Sequence, residues 1–203
     1  MLATKVGAPF SREGWLFEPK WDGYRAVCFL RDGQVRFMSR NQRDLTKRFP
    51  ELHPIAKSIK ASTAIIDGEI VAVDENGVQC FEQLQNHTRD CSILYFAFDL
   101  LFLDGENLTD LPLIERKAYL KRIVPKSLTG RLRFTDHVLE KGLDLFAALE
   151  AQQLEGMVAK RAKSIYGPGR SKDWLKVKTR AGMQEMKKRI KSWGMVEVSR
   201  LHR

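Results

Sequence analysis

The chain has 203 residues, 43% of them hydrophobic, and a formal net charge of +10 at neutral pH. That length supports one sizeable core with room for a small lobe, and the positive balance favours a polyanionic partner such as nucleic acid. No run of about 18 apolar residues occurs, and no apolar stretch follows a charged start at Met1, so the expectation is a soluble, cytoplasmic protein without membrane contact; a monomer is expected, although the sequence does not speak to oligomeric state.

Residues 1 to 13 hold Gly7 and Pro9 with little periodicity, and are expected as a surface lead-in. Trp15 to Ser39 reads as strands: a short one running into Lys20, then Tyr24 to Leu30, a turn at Arg31-Asp32-Gly33-Gln34, and Val35 to Met38. The Asp-Gly pair is a hairpin signal, which leaves Lys20 in the loop that enters the hairpin. Asp44 to Ser58 carries Leu45, Phe49, Leu52 and Ile55 at helical spacing, and Pro50 and Pro54 predict a broken helix. Ala64 to Val73 is nearly all apolar except for Asp67-Gly68-Glu69. Carboxylates inside a buried strand are costly unless paired or used, and a bulge at Gly68 is the plain alternative.

Cys80 to His87 predicts a short helix, and Ile93 to Leu103 a central strand interrupted by Asp99. Pro112 introduces a helix from Ile114 to Val124. Arg131 to Phe134 reads as a strand, Leu143 to Gln153 as a helix and Gly156 to Lys160 as a strand. Ser164 to Lys172 predicts a Gly/Pro loop, and Trp174 to Lys178 a strand with Lys176 and Lys178 on one face. Met183 to Trp193 predicts a basic amphipathic helix. Strands joined by short turns, with interspersed helices, give an α+β chain with largely antiparallel sheets.

Cys28, Cys80 and Cys91 form no CxxC pair, and the four histidines are scattered. The cysteines therefore read as reduced thiols, and no zinc site is expected.

The unusual stretch is Glu18-Pro19-Lys20-Trp21-Asp22-Gly23-Tyr24-Arg25, a charged knot between apolar strands. At an exposed strand end it would be an ion pair worth about 0–1 kcal/mol. At the rim of a pocket Lys20 would be a nucleophile. A free lysine is neutral in only roughly one molecule in a thousand at pH 7, so that role requires Glu18 and Asp22 to be engaged elsewhere.

Further polar blocks fall at strand ends or loops: Ser39-Arg40-Asn41, Asp67-Gly68-Glu69, Phe96-Ala97-Phe98-Asp99, Glu155-Gly156-Met157-Val158 and Trp174-Leu175-Lys176-Val177-Lys178. With Lys20-Trp21-Asp22-Gly23 at their head, their order and spacing resemble the covalent nucleotidyltransferases, and within them the ATP-dependent DNA ligases. The match is greatest to the ligase domain of bacterial ligase D of non-homologous end joining. Met1-Leu2-Ala3-Thr4 and Tyr166-Gly167-Pro168-Gly169-Arg170-Ser171 also look like that group.

The resemblance implies an adenylation fold of two packed sheets with flanking helices and a nucleotide slot between the sheets. It implies ATP as cofactor, held as covalent AMP on Lys20, with Mg²⁺ or Mn²⁺. Phe98 would stack on adenine, Glu18 contact its amino group and Glu69 a ribose hydroxyl. Arg25 and Arg40 would hold phosphates. Lys176 and Lys178 would steady charge on the α-phosphate, although two lysines on an edge strand can also merely oppose aggregation. Glu155 would take the metal, and Asp22 a second metal or the 3′-hydroxyl. Arg170 and Lys172 are candidate DNA-backbone contacts, and Arg116 matches a recurrent position. The implied partners are nicked double-stranded DNA and a protein carrying an OB-fold or acting in end joining.

Two departures qualify the match. Gln42 stands where glycine usually follows Ser-Arg-Asn, which is uncomfortable if that site needs positive φ. The stretch after Lys178 is too short for a five-stranded OB barrel. The expected layout is an adenylation domain over 1–180 and a basic tail over 181–203, with self-adenylation and weak nick sealing unless a lid is supplied by another chain. Lys187, Lys188, Arg189 and Lys191 in the tail would add DNA affinity or form a solvated face. RNA ligases and capping guanylyltransferases share Lys-x-Asp-Gly, and a noncatalytic nucleic-acid-binding remnant is the reading from another class.

Overall fold

The structure, a computed structural model, describes residues 1–86, 91–127 and 129–188. Strands β1 (Leu2–Lys5) and β2 (Trp15–Pro19) lead into the hairpin of β3 (Tyr24–Arg31) and β4 (Gln34–Ser39). Asp32 and Gly33 make its turn at φ 52° and 69°, the left-handed conformations that a tight hairpin demands. Strand β5 (Ala64–Val73), helix α1 (Phe81–Asn86), strand β6 (Ser92–Leu103) and strand β7 (Glu106–Asn107) follow. The second half contains helix α2 (Leu113–Ile123), strands β8 (Leu132–Phe134) and β9 (Val138–Leu139), helix α3 (Gly142–Ala151), and strands β10 (Gly156–Arg161) and β11 (Arg170–Lys178).

Two sheets result, ordered β1-β11-β10-β2-β9 and β4-β3-β5-β6-β7, with β8 added to β6. All named strand pairs are antiparallel except β1 with β11 and β6 with β8. The period of two along each strand assigns the faces. Trp15 and Phe17 of β2 pack with Met157 and Ala159 of β10 beneath Leu149 of α3. Leu16 and Trp174 turn the other way and meet Phe98 of β6 and Leu113 of α2, joining the two sheets. The larger core lies on the second sheet, where Phe37, Ile66, Tyr95 and Leu100 pack with Leu120 of α2.

The β-rich reading therefore holds, with three corrections. Residues 1–13 are not all lead-in, because Leu2–Lys5 pairs with β11 across the length of the chain. That pairing extends β11 back to Arg170, so Arg170 and Lys172 stand on a strand rather than in a Gly/Pro loop. The segment expected as a broken α-helix is two 3₁₀ pieces, Thr46–Arg48 and Pro50–Lys57. Pro54 inside it lacks an N–H and crowds the preceding turn, yet Leu52 and Ile55 still reach the core.

Gly68 marks a bulge: the β5–β6 register shifts between Asp67 and Gly68. A Cβ at Gly68 would lie 2.5 Å from the Tyr95 ring. Gln42 adopts φ 58° itself, so glutamine occupies the left-handed position where glycine is expected. The chain is helical over 180–188, and the remainder of the predicted basic helix lies outside the described residues. No described helix is long and apolar enough to cross a membrane.

Candidate active site

Between the sheets lies a cleft of about 400 Å³. The inward alternation of β2, β10 and β11 supplies Glu18, Val158, Lys160, Trp174 and Lys176 to its wall. The second sheet adds Arg25, Glu69 and Phe98, and the loop after β4 adds Ser39, Arg40 and Asn41.

Lys20 follows the last residue of β2, and its N–H donates to the Gly156 carbonyl at 2.8 Å. Gly23 lets the loop press against β5, since a Cβ there would lie 2.0 Å from the Ile70 carbonyl oxygen. Trp21 stacks on Phe96 with centroids 3.8 Å apart, and its indole N–H donates to Thr135 Oγ1 at 3.1 Å. This loop thus presents the Lys20 side chain to the cleft from a braced backbone. Its ammonium is bonded to Glu155 Oε2, while Lys178 Nζ donates to Glu155 Oε1 at 2.6 Å. Lys176 joins the same cation group. Burial holds its pKa below the usual lysine value, and Lys20 and Arg170 reinforce that depression against the pull of Glu155.

Deeper in, charge and aromatic rings alternate. Glu18 is buried between Lys117 Nζ at 2.5 Å from Oε1 and Lys160 Nζ at 2.5 Å from Oε2. The Lys160 ammonium lies 4.3 Å from the Phe98 ring centre and 4.1 Å from that of Trp174, within cation–π range of both. The two lysines keep the Glu18 carboxyl below its ordinary pKa although burial pushes it upward. Arg25 forms a fork on Asp67, Nε to Oδ1 at 3.0 Å and Nη2 to Oδ2 at 2.5 Å, and the Tyr166 hydroxyl donates to Oδ2 at 2.8 Å. Burial pushes the Glu69 carboxyl up to about 8, against the opposing pull of Lys20 and Arg25.

One end of the cleft is thus aromatic with fixed hydrogen-bonding charges, and Lys20, Lys176 and Arg170 form a cationic group beside it. A flat heteroaromatic group joined to an anion matches that arrangement. Residues 1–178 match the family described as "ATP dependent DNA ligase domain". The chain belongs to this family.

Among its relatives, the multifunctional non-homologous end joining protein LigD of Mycolicibacterium smegmatis is 36% identical over 180 residues, covering 88% of this chain and 23% of that protein. LigD of Pseudomonas aeruginosa is 39% identical over 180 residues, covering 87% of this chain and 21% of that protein. The chain therefore spans less than a quarter of the length of these relatives. A mycobacterial DNA ligase D solved with ATP and MES superposes with a TM-score of 0.71 at 34% identity, covering 87% of this chain and 60% of the other.

In this ligase domain the cleft brings together Lys20, Glu18, Arg25, Arg40, Glu69, Phe98, Lys176 and Arg170 of the residues anticipated from sequence. Lys178 reaches the group through Glu155. Asp22 and Glu155 line a second cavity of about 880 Å³, and the Asp22 N–H donates to Gln79 Oε1 at 2.7 Å. Lys172 is exposed and lines neither cavity.

A divalent cation would meet no ready-made cage, since the described residues contain no cluster of three His, Cys, Asp or Glu side chains suited to a metal. Glu155, with Asp22 on the same second cavity, fits the alternative in which one or two carboxylates act with ligand phosphates and water.

Sequence reasoning missed Lys117, Lys160, Tyr166 and the place of Trp174 in the wall, whereas the expectation that a buried Asp67 must be paired is met by Arg25 and Tyr166. Lys160 was findable: it shares the inward face of β10 with Val158. Lys117 carries no local signal, because a lysine beside Arg116 on a helix normally reads as solvated. Arg116 is buried and grips Asp99 with Nε to Oδ1 at 2.8 Å and Nη2 to Oδ2 at 2.9 Å, which accounts for the aspartate in the central strand.

Proposed function

We propose that this chain loads a nucleotide onto Lys20 as the adenylation domain of an ATP-dependent DNA ligase. The observation that carries the reading is the Lys20 ammonium at the cleft, bonded to Glu155 and grouped with Lys176 and Lys178 beside an aromatic slot. The family match points the same way, as does the ATP with which the superposed mycobacterial ligase D was solved.

In this reading Phe98 stacks on the base, with Glu18 as acceptor at its edge and Glu69 as partner of a ribose hydroxyl. Neutral Lys20 Nζ attacks the α-phosphorus of ATP. The N–P bond forms as the bond from phosphorus to the bridging oxygen breaks, and pyrophosphate leaves. Glu155 Oε2 is the acceptor in reach of the Nζ proton. Lys176, Lys178 and Arg40 counter the charge that builds on the phosphoryl oxygens. Glu155 and Asp22 would hold Mg²⁺ or Mn²⁺, which supplies charge neutralisation at the phosphates.

AMP then passes from Lys20 to the 5′-phosphate of nicked DNA, and the 3′-hydroxyl displaces AMP to seal the strand. Splitting one hard displacement into easier ones is the gain of the covalent route. Residues 1–180 carry the first step in this assignment. Arg170 and the basic helix over 180–188 serve DNA in the cytoplasm together with an OB-fold or end-joining partner, and the end joining in the LigD relatives' names supports a place in strand-break repair. Intact-protein mass spectrometry tests the assignment. Incubation with ATP and Mg²⁺ is expected to add one AMP to the wild type and none to Lys20→Ala, and an adduct that survives the substitution defeats the assignment of Lys20.

A further inference from the structure

We propose that Lys117 is a positioning residue that fixes the Glu18 carboxylate and thereby sets which purine the cleft accepts; this rests on the nucleotide reading above.

The Lys117 ammonium is enclosed by oxygens. It meets Glu18 Oε1 at 2.5 Å, the Thr135 carbonyl at 3.0 Å and the Phe98 carbonyl at 3.5 Å. An ammonium has three N–H donors, and here there are three oxygens to receive them. Lys117 thus ties the carboxylate on the first sheet to the backbone of the residue whose ring forms the aromatic wall on the second. The acceptor and the stacking surface are held in register by one side chain.

Charge balance shows that this is more than pairing. Lys160 alone neutralises Glu18, and it lies 2.5 Å away. Adding Lys117, itself 1% exposed, leaves a buried triad with a surplus positive charge. Burying an unneeded ion is unfavourable, so a third charge kept for stability alone is a poor solution. A carboxylate on a flexible stem, held by one lysine only, can still rotate. Held on both oxygens by groups from α2 and β10, it presents its remaining lone pairs in one direction.

That direction matters because the two common purines differ at the same edge. Adenine offers an amino donor beside a ring-nitrogen acceptor, whereas guanine offers a carbonyl acceptor beside a ring N–H. A fixed carboxylate acceptor welcomes the adenine amino group and opposes the guanine carbonyl. A carboxylate free to swing can find the guanine ring N–H instead. Discrimination then comes from leaving a buried polar group unpaired with the wrong base.

The test is titration calorimetry of ATP and of GTP into the wild type, Lys117→Met and Lys117→Gln, with thermal melts of each. The wild type is expected to prefer ATP, and in Lys117→Met the ATP:GTP affinity ratio falls by about tenfold or more, the size expected for one misplaced buried hydrogen bond. Lys117→Gln, which keeps a neutral donor, falls between and serves if the methionine variant does not fold. A folded variant in which both nucleotides weaken equally and the ratio stays at the wild-type value overturns the proposal, since a purely structural lysine behaves that way. A wild type that binds both nucleotides equally overturns it while leaving the nucleotide reading standing. A wild type that binds neither overturns that reading, and the proposal with it.

Discussion

Two ion networks flank the cleft, one of lysines around Glu155 and one in which lysines hold Glu18 and an arginine holds Asp99. At its mouth, Lys20 is 21% exposed, Lys178 19% and their shared partner Glu155 8%. At or below its floor, Arg116 and Asp99 are 0% exposed, and Glu18 with Lys117 and Lys160 no more than 2%. Water reaches the first network freely and the second hardly at all. The mouth pairs can therefore exchange partners with an incoming phosphate at little expense. The floor pairs are locked, because each charge there would face a full desolvation penalty if its partner left. Burial, rather than residue type, separates the pairs that can exchange from those that are locked.

The sharpest way to break the comparison is to remove a floor cation. Arg116→Leu strands Asp99 in the core, where burial already raises its pKa against the pull of Arg116. Denaturant unfolding is expected to show a loss of about 3–5 kcal/mol, and a loss near zero would erase the distinction between floor and mouth.

At the mouth the pattern should invert. Glu155→Gln is expected to slow the addition of AMP to Lys20 by about 100- to 1,000-fold, the scale of one preorganised electrostatic group. Its stability should fall by about 1 kcal/mol, well short of the floor loss, because Lys20 and Lys178 stay within reach of water when the carboxylate charge goes. Timed mass spectrometry beside an unfolding curve reads both quantities.

Glu69 sits between the two regimes and sharpens the comparison through pH. Its carboxyl is raised from 4.5 to about 8, so the folded chain binds that proton more tightly than the unfolded chain does. Below the unfolded value both states are protonated and nothing is lost. As pH rises from about 4.5 to 8 the folded state surrenders this advantage, and stability falls across that window. Melting temperatures of the wild type and Glu69→Gln from pH 4.5 to 8.5 should converge at the acid end. The variant should lead increasingly towards the alkaline end, and parallel curves would remove Glu69 from the account.

The smallest effect is expected outside both networks. Gln42→Gly relieves a left-handed glutamine beside Arg40, for a gain of about 0.5 kcal/mol after the entropy cost of glycine. A destabilised variant would mean that the Gln42 side chain makes up for its backbone.

How much of this was legible beforehand varies from residue to residue. Lys20, Glu155, Lys176 and Phe98 stand in short blocks whose order carries the family resemblance, and all but Glu155 line the cleft. The Asp32-Gly33 hairpin and the Gly68 bulge were readable from local conformational rules. β1 was not, because four residues without alternation become a strand only when β11 arrives beside them. Lys117 was hidden for a related reason, since its three oxygen partners come from β2, β6 and the segment after β8.

By itself, then, the sequence determined the β-rich architecture, the shared face of Lys176 and Lys178 on β11 and the prominence of the Lys20 block, since alternation, turn chemistry and motif order are local properties of the chain. Only the tertiary structure decided which charges are locked and which can exchange. Burial and ion pairing depend on segments far apart in the chain, and the energy of a charge is set by what surrounds it rather than by its neighbours in sequence.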